Sequence, residues 1–459
     1  MEQKNSLGEL PVPHLLKEYA LPSIFAMLVS ALYNIVDQFF IGRSVGELGN
    51  AATNVAFPLS TSCIALALLF GIGGAAAFNL SMGKGEKEKA LYYIGNAAMM
   101  LFFSGLVLAV ITEVFLEPLL IVFGSPQKVL PFAKTYTGIT AIGFPFLILS
   151  AGGGHLIRAD GSPNMAMISN LTGAVINTLL DALFVFGFHM GMQGAALATV
   201  IGQFVAAAII VWYLCHLKTA PLSGMHIRPQ LPVIGYVAKL GTANFFNQIA
   251  MMIVQIVMNK SLAYYGARSD YGESIPLACA GIVTKVGMVF FSICIGLSQG
   301  MQPIVSYNYG AGNYKKVKQA YKLATGIGTV ISTIAFLAFQ IFPRQLISIF
   351  GSSQNESYYT FAVRYFRIYM FFTFLNAIQP ISSNFFTAIG KPGKGIFLSL
   401  TRQIIFLLPL IVIFPLFLGV DGIMYAGPIA DFIAATVSMI LIYKEFGKIN
   451  KLEEATCES

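Results

Sequence analysis

Between Met165 and Phe188 the chain reads MAMISNLTGAVINTLLDALFVFGF, an apolar run long enough to cross a bilayer that nevertheless carries Asn170, Asn177 and Asp181. At helical periodicity these three sit at i, i+7 and i+11, on one face of one helix. A carboxylate near mid-membrane is unfavourable by about 2.5–3.5 kcal/mol on insertion scales, so it persists only beside partners or a wet cavity. The amide of Asn177, one turn away, is the nearest partner for Asp181. Asn170 taken alone reads equally well as a helix–helix hydrogen bond.

A second intramembrane carboxylate lies in the first apolar span, where Ser30, Asn34, Asp37 and Gln38 form a polar stripe at i, i+4, i+7 and i+8. Thr199 and Gln203 lie one turn apart in the sixth span and complete a polar cluster with these two helices. Two carboxylates facing one pocket can load a proton, because desolvation and like charge both disfavour leaving the pair fully ionised. Equally, Asp37, Asp181, the carbonyl of Asn177 and the hydroxyl of Thr199 are an oxygen-rich set able to hold Na+. The expected coupling ion is H+, with Na+ as the alternative, and no cofactor is expected.

The second half of the chain is different in kind. Its first span carries Asn244, Gln248, Gln255 and Asn259 on one face, and the next four spans contain no Asp or Glu, which assigns ion coupling to the first half. Lys285 is embedded in the eighth span, where it either orders those amides or meets substrate. Met251, Met252, Met258, Met288, Phe290, Phe291 and Met301 make a soft, aromatic surface suited to varied apolar cations, although Met and Phe are also ordinary core and lipid-facing residues. The expected substrate contacts are Asn34, Gln38, Gln255, Met258, Lys285, Met288 and Phe291. Arg364 and Arg367 are expected to snorkel to headgroups, and Arg402 and Asp431 to pair between helices.

The elements that position these residues follow from composition. With 56% apolar and 10% charged residues among 459, the chain fits no soluble globular class. Twelve apolar spans can be read, at roughly 16–42, 50–80, 90–116, 135–157, 165–188, 192–217, 236–264, 275–307, 318–342, 360–388, 395–418 and 422–443, most of them meeting the ~20 residues a bilayer requires. The first is too long for a signal-peptide core and lacks a small-residue cleavage pattern, so it reads as a retained helix. The net charge of +8 reflects topology and not nucleic-acid binding. Eighteen Lys and Arg fall in loops on one side, against Arg43, Lys128, Lys134, Arg268 and Arg344 on the other. The positive-inside rule then places both termini in the cytoplasm, and the expected location is the plasma membrane.

The chain is written twice. Phe123-Gly124-Ser125-Pro126-Gln127 recurs as Phe350-Gly351-Ser352-Ser353-Gln354, and Gly73, Gly83 and Gly85 recur as Gly300, Gly310 and Gly312, both at an offset of 227. Ala159-Asp160-Gly161-Ser162-Pro163 returns as Ala388-Ile389-Gly390-Lys391-Pro392 at 229, and Gly191-Met192-Gln193-Gly194 as Gly419-Val420-Asp421-Gly422 at 228. Matches in one order at nearly one offset mark a duplication, and six spans per half make the repeats parallel. The expected organisation is an all-α polytopic membrane protein: a tail at 1–15, an N-lobe at 16–217, a linker at 218–235 broken by three prolines, a C-lobe at 236–444 and a tail at 445–459. Two such lobes enclose a crevice, the default binding site.

Other motifs lead nowhere. GKGEKEK, GAGNYKKVK and KPGKG do not match a phosphate loop, so no nucleotide partner is expected. Cys63, Cys215, Cys279, Cys294 and Cys457 contain no CxxC, and the four within spans read as buried small hydrophobes.

With two six-helix halves, LYNIVDQFFIG in the first span and IRADGSPNMAMISNLTGAVINTLLD leading through the fifth, the sequence resembles the multidrug and toxic compound extrusion (MATE) family, and within it the bacterial MepA-like branch. The resemblance spans residues 15–445. It implies a V-shaped transporter of alternating access that is not an enzyme and that exports amphipathic, often cationic drugs in exchange for H+ or Na+. It also implies a cation site at Asp37, Asn177, Asp181 and Thr199, with those four as metal ligands only under Na+ coupling. The acids that the NorM branch carries in its second lobe are missing here. The expected partners are small amphipathic organic cations or drugs and membrane lipids, the expected state a monomer, and the alternative function a lipid-linked precursor flippase of the same superfamily. A non-transporting receptor is disfavoured by two intramembrane acids in a duplicated scaffold.

Overall fold

Every backbone N–H and C=O inside a bilayer needs an internal partner, so apolar runs of this length fold as helices. The computed structural model describes residues 6–272, 274–350 and 356–458, among which there are helices and turns but no strand. Twelve spans result. In the N-lobe they are α1 (Val12–Ser44), α2 (Glu47–Gly83), α3 (Lys87–Val114), α4 (Leu130–Ile142 and Phe144–Ala159), α5 (Pro163–Asp181, continued by a π-helical turn Ala182–Gly187) and α6 (Gly191–Leu214). In the C-lobe they are α7 (Leu231–Gly266), α8 (Ser274–Gly310), α9 (Tyr314–Ile341), α10 (Glu356–Tyr369, Thr373–Leu375 and Ile378–Ala388), α11 (Pro392–Leu400, a π-helical stretch Thr401–Leu407, and Leu408–Leu418) and α12 (Val420–Glu458). The two halves of α4 meet at 56° around Gly143. The tenth span, expected as one run over 360–388, is interrupted after Tyr369, where the Thr373 hydroxyl takes the Met370 carbonyl at 2.7 Å and competes with the helical ladder.

The duplication is visible in the backbone. Positive-φ glycines come in pairs, Gly46 with Gly272, Gly85 with Gly312, Gly161 with Gly390 and Gly191 with Gly419, so both halves turn corresponding corners with the same left-handed residue. The repeated Gly351-Ser352-Ser353-Gln354 lies outside the described residues.

The lobes meet near the face that bears both termini. There Gly73 of α2 abuts Val237 of α7, Gly83 abuts Tyr307 of α8, and Gly310 abuts Leu80, each against a backbone carbonyl with no room for a Cβ. A Cβ on Gly300 or Gly296 would stand 2.5 Å from the Cα of Ala20 or Ile24 of α1. The repeated glycines are therefore lobe-to-lobe contacts that allow backbone to approach backbone. Polar side chains finish this seal: Gln302 donates to the Ile72 carbonyl at 3.2 Å, and Arg158 donates to Gln299 at 3.1 Å. Toward the opposite face the same helix surfaces become exposed, and the lobes enclose a V-shaped cleft.

Three expected boundaries move. Of the expected tail, the described residues 6–15 pack against the protein: a turn of helix covers Ser6–Glu9, Leu7 and Val12 are buried, and Lys316 of α9 donates to the Gly8 and Leu10 carbonyls at 2.6 and 3.0 Å. The linker does not extend to 235, because Pro232 occupies the first turn of α7, where its missing N–H is not needed. It is also strapped to the N-lobe. Asn96 of α3 donates to the His226 carbonyl at 3.0 Å and accepts from the Gln230 N–H at 2.9 Å, while Asp160 accepts from the Lys218 N–H at 2.6 Å and the Thr219 hydroxyl at 2.5 Å. Finally, α12 runs on past 445, with Glu445 fully buried between Lys391 and Lys394.

Candidate functional site

The sequence-predicted cluster assembles inside the N-lobe. α5 approaches α6 at a glycine pair, Gly173 and Gly202, and that approach sets Asn177 against Thr199. α1 packs along α5 through Ser30, whose hydroxyl accepts from the Asn170 amide at 3.1 Å. Seven residues beyond Ser30, on the same stripe, Asp37 faces Asp181, eleven beyond Asn170, and the two carboxyls lie within hydrogen-bonding reach of each other. Asp181 is fully buried, and Asp37, Asn177 and Thr199 are buried around it.

The hydrogen bonds assign an orientation to the Asn177 amide. Its Nδ2 donates to Asp181 Oδ2 at 3.2 Å, while its Oδ1 accepts from the Thr199 N–H at 3.0 Å. Thr199 in turn donates its hydroxyl to the Ala195 carbonyl at 2.9 Å. One oxygen on each acid, Asp37 Oδ1 and Asp181 Oδ1, is buried with no hydrogen-bond partner. A buried acceptor without a donor is unfavourable. Asp181 also ends the α-helical part of α5, immediately before its π turn, a break that recurs at functional positions. That places it nearer the end of α5 remote from the termini than the mid-depth position expected.

Two aromatic residues belong to this cluster and were not anticipated. Tyr33 of α1 and Tyr136 of α4 both sit close enough to the two acids to feel their charge, and the Tyr136 hydroxyl lies beside Thr199. The signal for Tyr33 was available, since it lies four residues before Asp37. Tyr136 is brought in only by the packing of α4 against α6. Gln203 does not join the site: its Oε1 is buried without a partner beside Gly143, at the bend of α4.

The expected substrate contacts divide. Asn34 is exposed and Gln38 half-buried on α1, and Gln255, bonded to Asn259 at 3.0 Å, is half-buried on α7. Lys285 is exposed on α8 and bonds none of the α7 amides among the described residues; Met288 is exposed at the edge of the same surface. Met258 and Phe291 point instead into the C-lobe core. The Met258 sulfur receives the Tyr365 and Tyr369 hydroxyls at 4.0 and 3.8 Å, and Phe291 packs on Phe290. Apolar character alone did not separate a core-facing methionine from one facing the cleft.

Two pairs form among the remaining embedded charges, while Arg367 is exposed with no carboxylate partner among the described residues. Arg402 donates to Asp431 at 2.6 Å, as expected. Arg364, expected to snorkel, binds Asp421 at 2.9 Å, a partner brought to it by the α11–α12 corner. Cys63, Cys279 and Cys294 are buried, but Cys215 is exposed, because it lies just beyond the last helical residue of α6.

A family model described as MatE matches residues 22–183 and 243–413, one block in each lobe. The multidrug export protein MepA of Staphylococcus haemolyticus (strain JCSC1435) is 25% identical over 426 residues, covering 93% of this chain and 92% of the relative. The protein of that name from Staphylococcus aureus (strain MSSA476) is 24% identical over 447 residues, 96% of each chain. A solved structure described as the outward-facing conformation of a multidrug resistance MATE family transporter of the MOP superfamily superposes with a TM-score of 0.89 at 21% identity, covering 98% of this chain and 99% of the other. It shares the fold. With most of each lobe matched in order, the chain belongs to the MatE family.

Proposed function

We propose that this protein is a secondary-active exporter of amphipathic compounds, organic cations and drugs among them, that works as a monomer by antiport against a cation. The observation that carries the reading is the pair of unpartnered oxygens on Asp37 and Asp181, buried side by side within one lobe of a two-lobed cleft. The multidrug export named for the MepA relatives supports it.

The residues favour H+ over Na+ as the coupling ion. A proton held between the two carboxyls satisfies them without any further ligand. A metal ion needs a fuller oxygen shell, and beside the two carboxyls the cluster offers only the Asn177 carbonyl and the Thr199 hydroxyl, each of which shares its oxygen with a hydrogen bond. In the proposed cycle the dyad takes up the cation from the open cleft side, α1, α5 and α6 repack around the neutralised pair, and the lobes rock about their seal. With both termini cytoplasmic in the plasma membrane, the present geometry is the outward-open one.

The test is efflux of a fluorescent organic cation from proteoliposomes under a pH gradient alone, then a Na+ gradient alone. Transport under the pH gradient that is lost in Asp37→Asn and Asp181→Asn is the expected result. Transport under Na+ alone makes the same oxygens metal ligands. No transport under either gradient removes the exporter reading and favours the lipid-linked precursor flippase.

A further inference from the structure

One face of α8 records where the lobes part. Gly300 and Gly296 are buried against α1, and Ser292, one turn further, is still buried. Val289 is half-buried, and Lys285, Gly281 and Ala278 are exposed. These positions are three or four residues apart and so form a single stripe. The stripe that seals lobe to lobe becomes, beyond Val289, a wall of the cleft, and Lys285 stands on it. Nothing lies within 4 Å of a Cβ built at Gly281, one turn from Lys285. The facing helices show the same progression. On α1, Ser23 is buried, Met27 half-buried and Asn34 exposed; on α7, Gly241 is buried, Gln248 and Gln255 half-buried and Asn259 exposed.

The charge on these walls has one sign. Asp37 and Asp181 are turned into the N-lobe, Asp431 is bound to Arg402 and Asp421 to Arg364. Among the described residues no carboxylate pairs with Lys285. At the closed end of the cleft, Arg158 is buried against His155 and Gln299, likewise without a carboxylate. Lys285 lies about 16 Å along α8 from its first residue, at 1.5 Å per residue, and low-dielectric walls strengthen the field of a charge held at such depth.

We infer that the cleft recognises amphiphiles bearing an anionic group, such as a carboxylate, sulfonate or phosphate ester, and that Lys285 is the residue that binds it. This rests on the proposed role of the cleft as the transport path and widens its substrates beyond organic cations.

Equilibrium binding tests it, using the purified full chain in a neutral detergent and two xanthene dyes: fluorescein, which is anionic, and rhodamine 6G, which is cationic. Fluorescence anisotropy should show fluorescein bound by the wild type, about tenfold more weakly by Lys285→Met, and with affinity retained by Lys285→Arg. Lys285→Glu should invert the preference, losing fluorescein and tightening rhodamine 6G. In a second arm, dithionite quenching of a fluorophore-labelled phosphatidylglycerol in proteoliposomes reports lipid translocation. Lipid movement lost in Lys285→Met identifies a headgroup as the anion; fluorescein binding without lipid movement identifies a soluble amphiphile. Fluorescein affinity equal in wild type, Lys285→Met and Lys285→Glu, or absent from the wild type, together with no Lys285-dependent lipid movement, overturns the inference. Because binding needs no ion gradient, failure of gradient-driven efflux with fluorescein binding intact counts against the exporter reading alone.

Discussion

Gly202 of α6 stands so close to Gly173 of α5 that a Cβ on Gly202 would come 2.7 Å from the Gly173 carbonyl oxygen and 2.9 Å from the Asn177 Cβ. The carboxylate site depends on that contact, because it sets the distance between the helix bearing Asn177 and Asp181 and the helix bearing Thr199.

Gly202→Ala should therefore damage both stability and transport. The obstructing atoms are backbone, which no rotamer change relieves, and overpacking of this kind costs about 1–3 kcal/mol. Gly235→Ala in α7, where a Cβ meets nothing within 4 Å, should be neutral or stabilising by up to about 1 kcal/mol. Thermal melts in detergent alongside dye efflux check the contrast. Equal behaviour of the two variants would remove the glycine contact from the account.

Asp181→Asn should abolish pH-driven efflux, by at least tenfold, without lowering Tm. The amide keeps the shape of the carboxyl and is neutral, so it relieves like-charge proximity to Asp37 while removing the group that exchanges a proton. Lost transport together with a lower Tm would show that Asp181 is chiefly structural.

The Arg402–Asp431 pair should show strong coupling in a double-mutant cycle. Asp431→Asn leaves a largely buried guanidinium uncompensated, which costs about 3–5 kcal/mol, whereas replacing both partners together (Arg402→Met with Asp431→Leu) should cost much less. Additive losses in Tm would mean that the two side chains act independently.

Asp160, in the turn between α4 and α5, predicts a pH dependence. Burial holds its carboxyl above the usual carboxylate range, partly opposed by hydrogen bonds from Thr219, Lys218 and Tyr213. The folded state therefore binds this proton at higher pH than the unfolded chain does. Its contribution is complete below the unfolded value and is lost as pH rises through the raised folded one. Melts from neutral to mildly acidic pH should show the wild type gaining stability relative to Asp160→Asn as pH falls, and a parallel pair of curves would contradict this.

Much of this molecule was legible before any helix was packed. Hydropathy set twelve spans because an apolar run in lipid has no option but helix, and the repeated glycines and corner motifs declared the duplication. The register of Asn170, Asn177 and Asp181 on α5, and of Ser30 and Asp37 on α1, followed from 3.6 residues per turn, which is why both stripes were found and could be matched to one cluster. Periodicity says which residues share a face, but not what that face meets. Only tertiary packing decided that the two acids turn into the N-lobe while Lys285 is exposed on α8, that Tyr136 comes beside the acids and Gln203 does not, that Met258 belongs to the core, and that Arg364 answers Asp421. Each of these depends on which helices come together and how closely, and that distance is set by backbone contacts at Gly73, Gly83, Gly202, Gly296 and Gly310, residues whose role lies in the side chain they lack.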